Sequence, residues 1–388
     1  LPKKWQTDWS DGKWIDTVTP VTSRIVLFGA TGYTGELTAR ALVRRGQLPV
    51  LAGRSVDRLK HLAAELGDLE IAVADVERPQ SIAALVEADD VLISTVGPFS
   101  RWGQPALAAV VGKGAHYLDS TGEPPFIQDV FENWSPRARA SGSALLTAMG
   151  YDYVPGNLAA ALALRDAGPA ATKVEIGYFV TGPMGRSGLS GGTLASLADA
   201  LFAPGFARRG GVVSGERAGL RRRKFDVAGA QRSGLSLGAA EHFSLPQTYP
   251  RLRDVDVYLG WFGSSSKPLS MLSRTGGAVL TLPPVKKVGS LVAQRMFRGS
   301  SGGPDEATRA AYETVVVAET FDTRGNQLTR AVVEGMNPYD FSGAMLAWAA
   351  DRVANVGVRG VGALGPVAAF GLDELTEGVR QSGIQRTE

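Results

Sequence analysis

The chain has 388 residues, 44% hydrophobic and 20% charged, with a formal net charge of +3, a mean hydropathy of −0.01 and a pI near 9.1. This is enough apolar chain for two domains, and its weak, diffuse basicity does not point to nucleic acid. Cysteine is absent and the histidines, His61, His116 and His242, are scattered, which excludes disulfides and thiolate nucleophiles and argues against a metal centre or a hydrolase.

Residues 1–21 carry Trp5, Trp9 and Trp14 among Lys3, Lys4 and Lys13, and the chain starts on Leu1. They read either as a foreign leader or irregular arm, or as an arm that docks on its own domain or a second subunit. From Arg24 onward, strand-like and helix-like patterns alternate. Strands are expected over 25–28, 49–52, 70–74, 91–96, 115–119 and 143–148, and helices over 36–45, 56–66, 79–88, 105–112 and 125–140. Such alternation predicts a Rossmann-type, doubly wound parallel sheet with ligands at the carboxyl ends of its strands. Beyond Asp152 the rhythm changes. Long strands over 174–180, 256–261, 312–321 and 327–334, the last two joined by a hairpin signal at 323–326, predict a second, α+β, mostly antiparallel domain. Helices are expected over 193–202, 342–356 and 372–382. The expected division is 1–21 arm or leader, 22–152 dinucleotide-binding, 153–340 substrate and dimerisation, and 341–388 a tail packing back on the first domain. No stretch approaches the run of about 18 apolar residues that spans a bilayer, and no signal-peptide core is visible, so a cytoplasmic location is expected.

Gly29-Ala30-Thr31-Gly32-Tyr33-Thr34-Gly35 follows the first strand and leads into a helix. A helix start offers unpaired N–H groups and partial positive charge, and glycines let a pyrophosphate come close. The spacing is G-x-x-G-x-x-G, a variant of the dinucleotide fingerprint; a tight turn without a ligand is the competing reading. After the second strand, where an NAD site carries an acid for the ribose hydroxyl, stand Gly53-Arg54-Ser55. A guanidinium at Arg54 suits a 2′-phosphate and favours NADP(H), with Ser55 expected to cap the next helix. Asp75 and Val76 at the third strand end face the adenine side, and Val96, Gly97, Pro98 and Phe99 at the fourth face the nicotinamide side.

Together with Tyr117-Leu118-Asp119-Ser120-Thr121-Gly122-Glu123, Gly150-Tyr151-Asp152-Tyr153-Val154-Pro155, Ser190-Gly191-Gly192-Thr193 and the 362–371 tail, these turns resemble the saccharopine dehydrogenase-like (saccharopine reductase-like) oxidoreductases, including the mycobacterial trans-acting enoyl reductases. The resemblance covers nearly everything after residue 22 and implies a nucleotide domain, a substrate and dimerisation domain, and NADPH as reductant. One departure is Tyr153, where relatives often carry serine in Gly-Phe-Asp-Ser.

Hydride transfer asks of a protein orientation, a dry pocket and a proton source. The candidates for that work are Tyr151, Asp152, Tyr153 and Glu123; each has a structural alternative, such as capping the helix near Pro125 or holding a turn. Ser190, Gly191, Gly192 and Thr193 form a candidate substrate-anion site or a plain capped turn. The basic stretch Arg208, Arg209, Arg217, Arg221, Arg222, Arg223 and Lys224 suits a carrier protein or CoA phosphate, or is simply solvated. The stretch 269–297 reads as core, as a lid over a greasy substrate, or as a peripheral membrane contact. The expected activity is NADPH-dependent reduction of a C=C (enoyl) or C=N (imine) bond in a small, lipid- or polyketide-like substrate. The alternative is a non-catalytic NADP-binding redox sensor or scaffold, which would bind cofactor without turnover. A homodimer is expected.

Overall fold

The computed structural model describes residues 3–10, 13–20, 23–182, 205–260 and 302–388. The expected helix at 193–202, Ser190–Thr193 and the 269–297 stretch lie outside these residues. Strands β1 (Lys3–Ser10) and β2 (Lys13–Pro20) pair as an antiparallel hairpin, where the sequence suggested an irregular arm.

The nucleotide half is built from β3 (Ile25–Phe28), α1 (Tyr33–Arg44), β4 (Val50–Gly53), α2 (Val56–Glu65), β5 (Ile71–Val73), α3 (Pro79–Ala83), β6 (Val91–Ser94), α4 (Phe99–Trp102), α5 (Gln104–Lys113), β7 (His116–Asp119), α6 (Pro124–Asp129), α7 (Ser135–Ser141) and β8 (Ala144–Leu146). β3, β4 and β6 are buried at every residue, which is why they read as unbroken apolar runs rather than alternating ones. The sheet is parallel, and its seventh strand is β17 (Gly362–Ala363), from the tail, beside β8. Strand order, from that edge, is β17-β8-β7-β6-β3-β4-β5.

Three helices differ from expectation. α1 opens at Tyr33 rather than 36, because Gly32 is extended and its carbonyl already accepts the Glu36 N–H at 2.8 Å. α3 stops at Ala83; the Asp90 carboxylate takes the Glu87 N–H at 2.9 Å and closes the turn that follows. The single helix expected over 125–140 contains a π turn at Val130–Trp134 between α6 and α7. There Asp129 receives side-chain donors from Asn133 and Trp134, one at 2.7 Å and the other at 3.1 Å.

α8 (Val154–Ala167) leaves the nucleotide sheet and lies on a nine-stranded sheet. Every residue from Val154 to Leu164 is buried and, apart from the hydrogen-bonded Asn157, the run is apolar all round, as a helix between two layers must be. The second sheet runs β11 (Val212–Gly215), β10 (Phe206–Arg209), β14 (Asp254–Leu259), β9 (Lys173–Thr181), β15 (Glu313–Phe321), β16 (Gln327–Gly335) and β18 (Ile384–Arg386). β12 (Arg222–Val227) pairs with β13 (Ala230–Ser236), which joins β14. Among the described residues only β14 and β9 pair in parallel in this sheet, so it is mixed and mostly antiparallel. α9 (Glu241–Thr248) packs against α8.

The C-terminal part ties both sheets. Asn337 accepts the Tyr339 and Asp340 N–H groups and starts α11 (Pro338–Asn355) a turn earlier than expected; α10 (Glu306–Ala310) precedes it. α11 packs on α1 and on β3, β6 and β7. α12 (Pro366–Phe370) and α13 (Leu372–Gln381) follow β17, and β18 then joins the second sheet beside β16. One core accordingly runs from Ile25 and Leu27 in the first sheet through Leu158 and Leu162 to Val316 and Val333 in the second.

Candidate active site

The glycine loop, Thr95–Phe99, Ser120–Glu123 and Gly150–Tyr153 emerge at the carboxyl ends of β3, β6, β7 and β8, neighbours in one sheet. Their turns line the carboxyl edge of the sheet at the strand-order reversal beside β3, where this architecture takes its ligand.

The glycines divide the work. Gly29 has φ +90° and lies against Thr95 and Val96; a Cβ there would come within 2.7 Å of Thr95 Oγ1. Gly35, in the first turn of α1, has no room for a Cβ, which would fall 2.2 Å from the Gly29 carbonyl oxygen. Gly32 is exposed, at the helix mouth, where a phosphate can approach its backbone. Thr95, which sequence reasoning passed over, donates its hydroxyl toward the Phe28 and Gly29 carbonyls at 3.2 and 3.1 Å and pins the loop.

Arg54 is exposed just beyond β4, and Ser55 sits at the start of α2 without a side-chain cap bond. Arg58, one turn further on and also missed, donates to the Thr31 carbonyl and pairs with Glu36 at 3.6 Å. Arg58 thus ties the start of α2 to the glycine loop, and Arg54 stands just before that helix. Asp75 accepts the Glu77 N–H at 3.1 Å and holds its own turn, with Val76 half-buried beside it. The cradle of unfilled glycine positions at the mouth of α1 fits the pyrophosphate of a dinucleotide.

Tyr33, in the glycine loop, is gripped from the second half of the chain. Its hydroxyl donates to the Pro304 carbonyl at 2.6 Å and accepts from Arg309, which itself reaches both Asp340 oxygens at 2.9 and 3.0 Å. The turn entering α10 thus leans on the phosphate loop.

At the other end stand the expected proton donors. Glu123 is buried and its two oxygens accept the Phe99 and Ser100 N–H groups at 2.7 and 2.9 Å. It caps α4 rather than the helix at Pro125, and holds the turn that carries Pro98 and Phe99. Glu123→Ala is expected to cost about 2 kcal/mol of stability, because the buried Phe99 amide and the outer Ser100 amide both lose their acceptor; chemical denaturation measures it. Asp119 ties the β7 and β8 ends together by accepting the Thr121 and Ala148 N–H groups and the Thr147 hydroxyl.

Tyr151 and Tyr153 point inward. The Tyr151 hydroxyl donates to the Phe179 carbonyl at 3.4 Å, the Tyr153 hydroxyl to the Gly122 carbonyl at 3.3 Å, and burial pushes both phenols well above their ordinary range. The bulk of Tyr153 packs edge-on against Tyr178, 5.8 Å between ring centroids. Ser342 of α11 accepts the Tyr151 N–H at 2.9 Å and fixes the loop from behind. Asp152 differs from its neighbours. It is half-buried, its carboxylate lies over Gly122, where a Cβ would sit 2.8 Å from Oδ2, and desolvation without a compensating cation raises its pKa to about 7.

Much of the basic stretch is engaged within the protein. Arg209 and Arg221 pair with Asp256, Arg221 also with Glu216, and Arg223 with Glu175 and Glu319. Arg217, Arg222 and Lys224 remain exposed. Among the described residues, no helix is long and apolar enough to cross a membrane.

A family profile described as NAD(P)H-binding matches residues 29–118. A Mycobacterium tuberculosis (strain ATCC 25618 / H37Rv) protein named as a candidate trans-acting enoyl reductase is 30% identical over 427 residues, covering 95% of this chain and 98% of its own. A trans-acting enoyl reductase of Mycobacterium leprae (strain TN) is 39% identical over 140 residues, 34% of each chain. Among solved structures, apo saccharopine dehydrogenase (L-Glu forming) from Saccharomyces cerevisiae superposes with a TM-score of 0.58 at 12% identity, covering 94% of this chain and 99% of that one, a likeness of fold.

Proposed function

The chain belongs to the trans-acting enoyl reductase family, NAD(P)H-binding oxidoreductases on the saccharopine dehydrogenase fold, and we propose that it reduces the C=C bond of an α,β-unsaturated acyl or polyketide-like substrate with NADPH. The observation that carries the catalytic half of this reading is Asp152: a carboxyl at the strand ends, half-buried, unpaired with any cation among the described residues and pushed up to about 7.

When bound, NADPH supplies the hydride. The backbone around Gly29, Gly32 and Gly35 would hold its pyrophosphate, and Arg54 and Arg58 its 2′-phosphate. Val96 to Phe99, supported by Glu123, would line the nicotinamide side. Asp152 would hold its proton near neutral pH and deliver it from a carboxyl oxygen to the carbon that becomes electron-rich. Tyr151 and Tyr153 serve as walls and anchors, since their hydroxyls already serve backbone carbonyls. The C=N alternative needs the same proton and the same hydride, so substrate, not residue, separates the two.

A substrate carried on a carrier protein or on CoA is consistent with the relatives' trans-acting name, and the unpaired Arg217, Arg222 and Lys224 offer it a basic face. For the cofactor, Arg54→Asp is expected to weaken NADPH binding about tenfold or more and to leave NADH within about twofold, because a carboxylate repels the 2′-phosphate. Fluorescence titration of both nucleotides checks this. Unchanged NADPH affinity would remove Arg54 from the phosphate site.

A further inference from the structure

Glu241 opens α9 with its side chain fully buried. Its Oε1 lies 2.6 Å from the Tyr178 hydroxyl, and its Oε2 has no partner among the described residues. The same hydroxyl is 2.9 Å from the Gly156 N–H and 3.2 Å from the Tyr153 carbonyl oxygen. These are the first turn of α8 and the residue that follows Asp152.

A phenol has one proton to give and two lone pairs to receive with. The Gly156 amide can only donate and the Tyr153 carbonyl can only accept. If Glu241 were a carboxylate, the phenol proton would go to it, and the Tyr178 oxygen would face the Tyr153 carbonyl oxygen at 3.2 Å with no proton between them, although that carbonyl also accepts the Asn157 N–H and side-chain amide at 3.2 and 2.9 Å. With Glu241 as the neutral acid, its O–H donates to Tyr178, Tyr178 donates to Tyr153, and the amide takes the second lone pair. All three contacts are then satisfied. The lone Oε2 agrees, since a buried carboxylate oxygen without a donor is far more costly than an acid's carbonyl oxygen.

We propose that Glu241, held as the neutral acid, acts with Tyr178 as a lock that hangs the Tyr151–Tyr153 loop from α9 and so positions Asp152 at the carboxyl edge of the first sheet. Both are positioning residues, and the catalytic part of the inference rests on Asp152 being the proton donor. The groups facing Glu241 are Tyr178 from β9 and Asp152 and Tyr153 from the loop. His242 beside it turns its ring to the Ala239 backbone at 2.9 Å. No cation compensates among the groups that act on Glu241, and burial pushes it up to about 8.

The test uses Glu241→Gln, Glu241→Ala and Tyr178→Phe in the full chain. A glutamine amide can donate to Tyr178 at every pH, so Glu241→Gln is expected to recover most of the turnover that Glu241→Ala loses at pH 7. Tyr178→Phe is expected to lower kcat about tenfold or more, as a misplaced catalytic group does, with NADPH Kd within about twofold. The second readout needs no substrate. The unfolded chain releases the Glu241 proton near the ordinary carboxyl value and the folded chain only near 8, so wild-type stability falls as pH rises through that window. Wild-type Tm is therefore expected to drop below that of Glu241→Gln progressively from pH 5 to pH 9; Asp152 titrates in both proteins and largely cancels. Parallel Tm–pH curves, or a Glu241→Gln as impaired at pH 7 as Glu241→Ala, overturn the lock. A wild-type chain that reduces nothing overturns the enoyl reductase reading instead, and leaves the Tm comparison to decide the lock.

Discussion

Asp152→Asn is expected to lower turnover at pH 7 by about 100-fold or more while leaving NADPH affinity within about twofold. An amide of the same shape cannot release a proton, and general acid catalysis is typically worth about 10²–10⁴. The wild-type rate is expected to be flat below pH 7 and to fall above it, because the carboxyl, raised to about 7 by burial, loses the proton it must give. That limb should vanish from the residual activity of the variant. The stability effect has the opposite direction. The folded chain keeps the Asp152 proton to about pH 7, whereas the unfolded chain releases it near 4, so ionisation works against folding across that range. At pH 8 the variant is therefore expected to be at least as stable as wild type, which separates lost chemistry from lost fold.

Gly35→Ala should abolish nucleotide binding and cost about 3 kcal/mol of stability. Its Cβ would stand 2.2 Å from the Gly29 oxygen and 2.9 Å from the Ala30 oxygen. Both obstacles are backbone, so no side chain can swing aside, and the helix must back away from β3. The phosphate loop opens with it, since Gly29 is itself seated against Thr95. Denaturant midpoints measure the first loss and cofactor titration the second. By contrast, a substitution at Gly46, with φ +78° but open space around it, should bring only the backbone cost of a left-handed residue, about 1 kcal/mol.

The nucleotide half was legible because its strands are short, wholly buried and closed by glycine or polar turns, so apolar runs and turn residues both mark the same ends. The alternation of 25–28, 49–52 and 91–96 with helical stretches sufficed to place the glycine loop between the first strand and the first helix. Arg58 stands in the first turn of α2, close behind the Gly53-Arg54-Ser55 turn, and meets the glycine loop only through the fold. Thr95 directly follows the strand that borders the glycine loop. Glu123 was noticed, but sequence offered only the nearest helix, at Pro125, as the thing to cap; its actual partners are 24 and 23 residues away. Tyr151 and Tyr153 were read as donors beside Asp152 because neighbours in sequence share a loop, whereas the backbone turns their hydroxyls inward. Ser342, Tyr178 and Glu241 had no local mark at all. They meet the Asp152 loop only because α8, α9 and α11 share one core.

The most direct test follows the hydride. The chain is given NADPH deuterated at the transferring C4 position with an enoyl thioester, on CoA and on a carrier protein, and the acyl product is weighed. The account predicts a saturated acyl chain carrying one deuterium, formed at the rate at which NADPH absorbance disappears. Tight NADPH binding without deuterium in the product of any enoyl, enone or imine substrate would contradict it and favour a cofactor-binding scaffold.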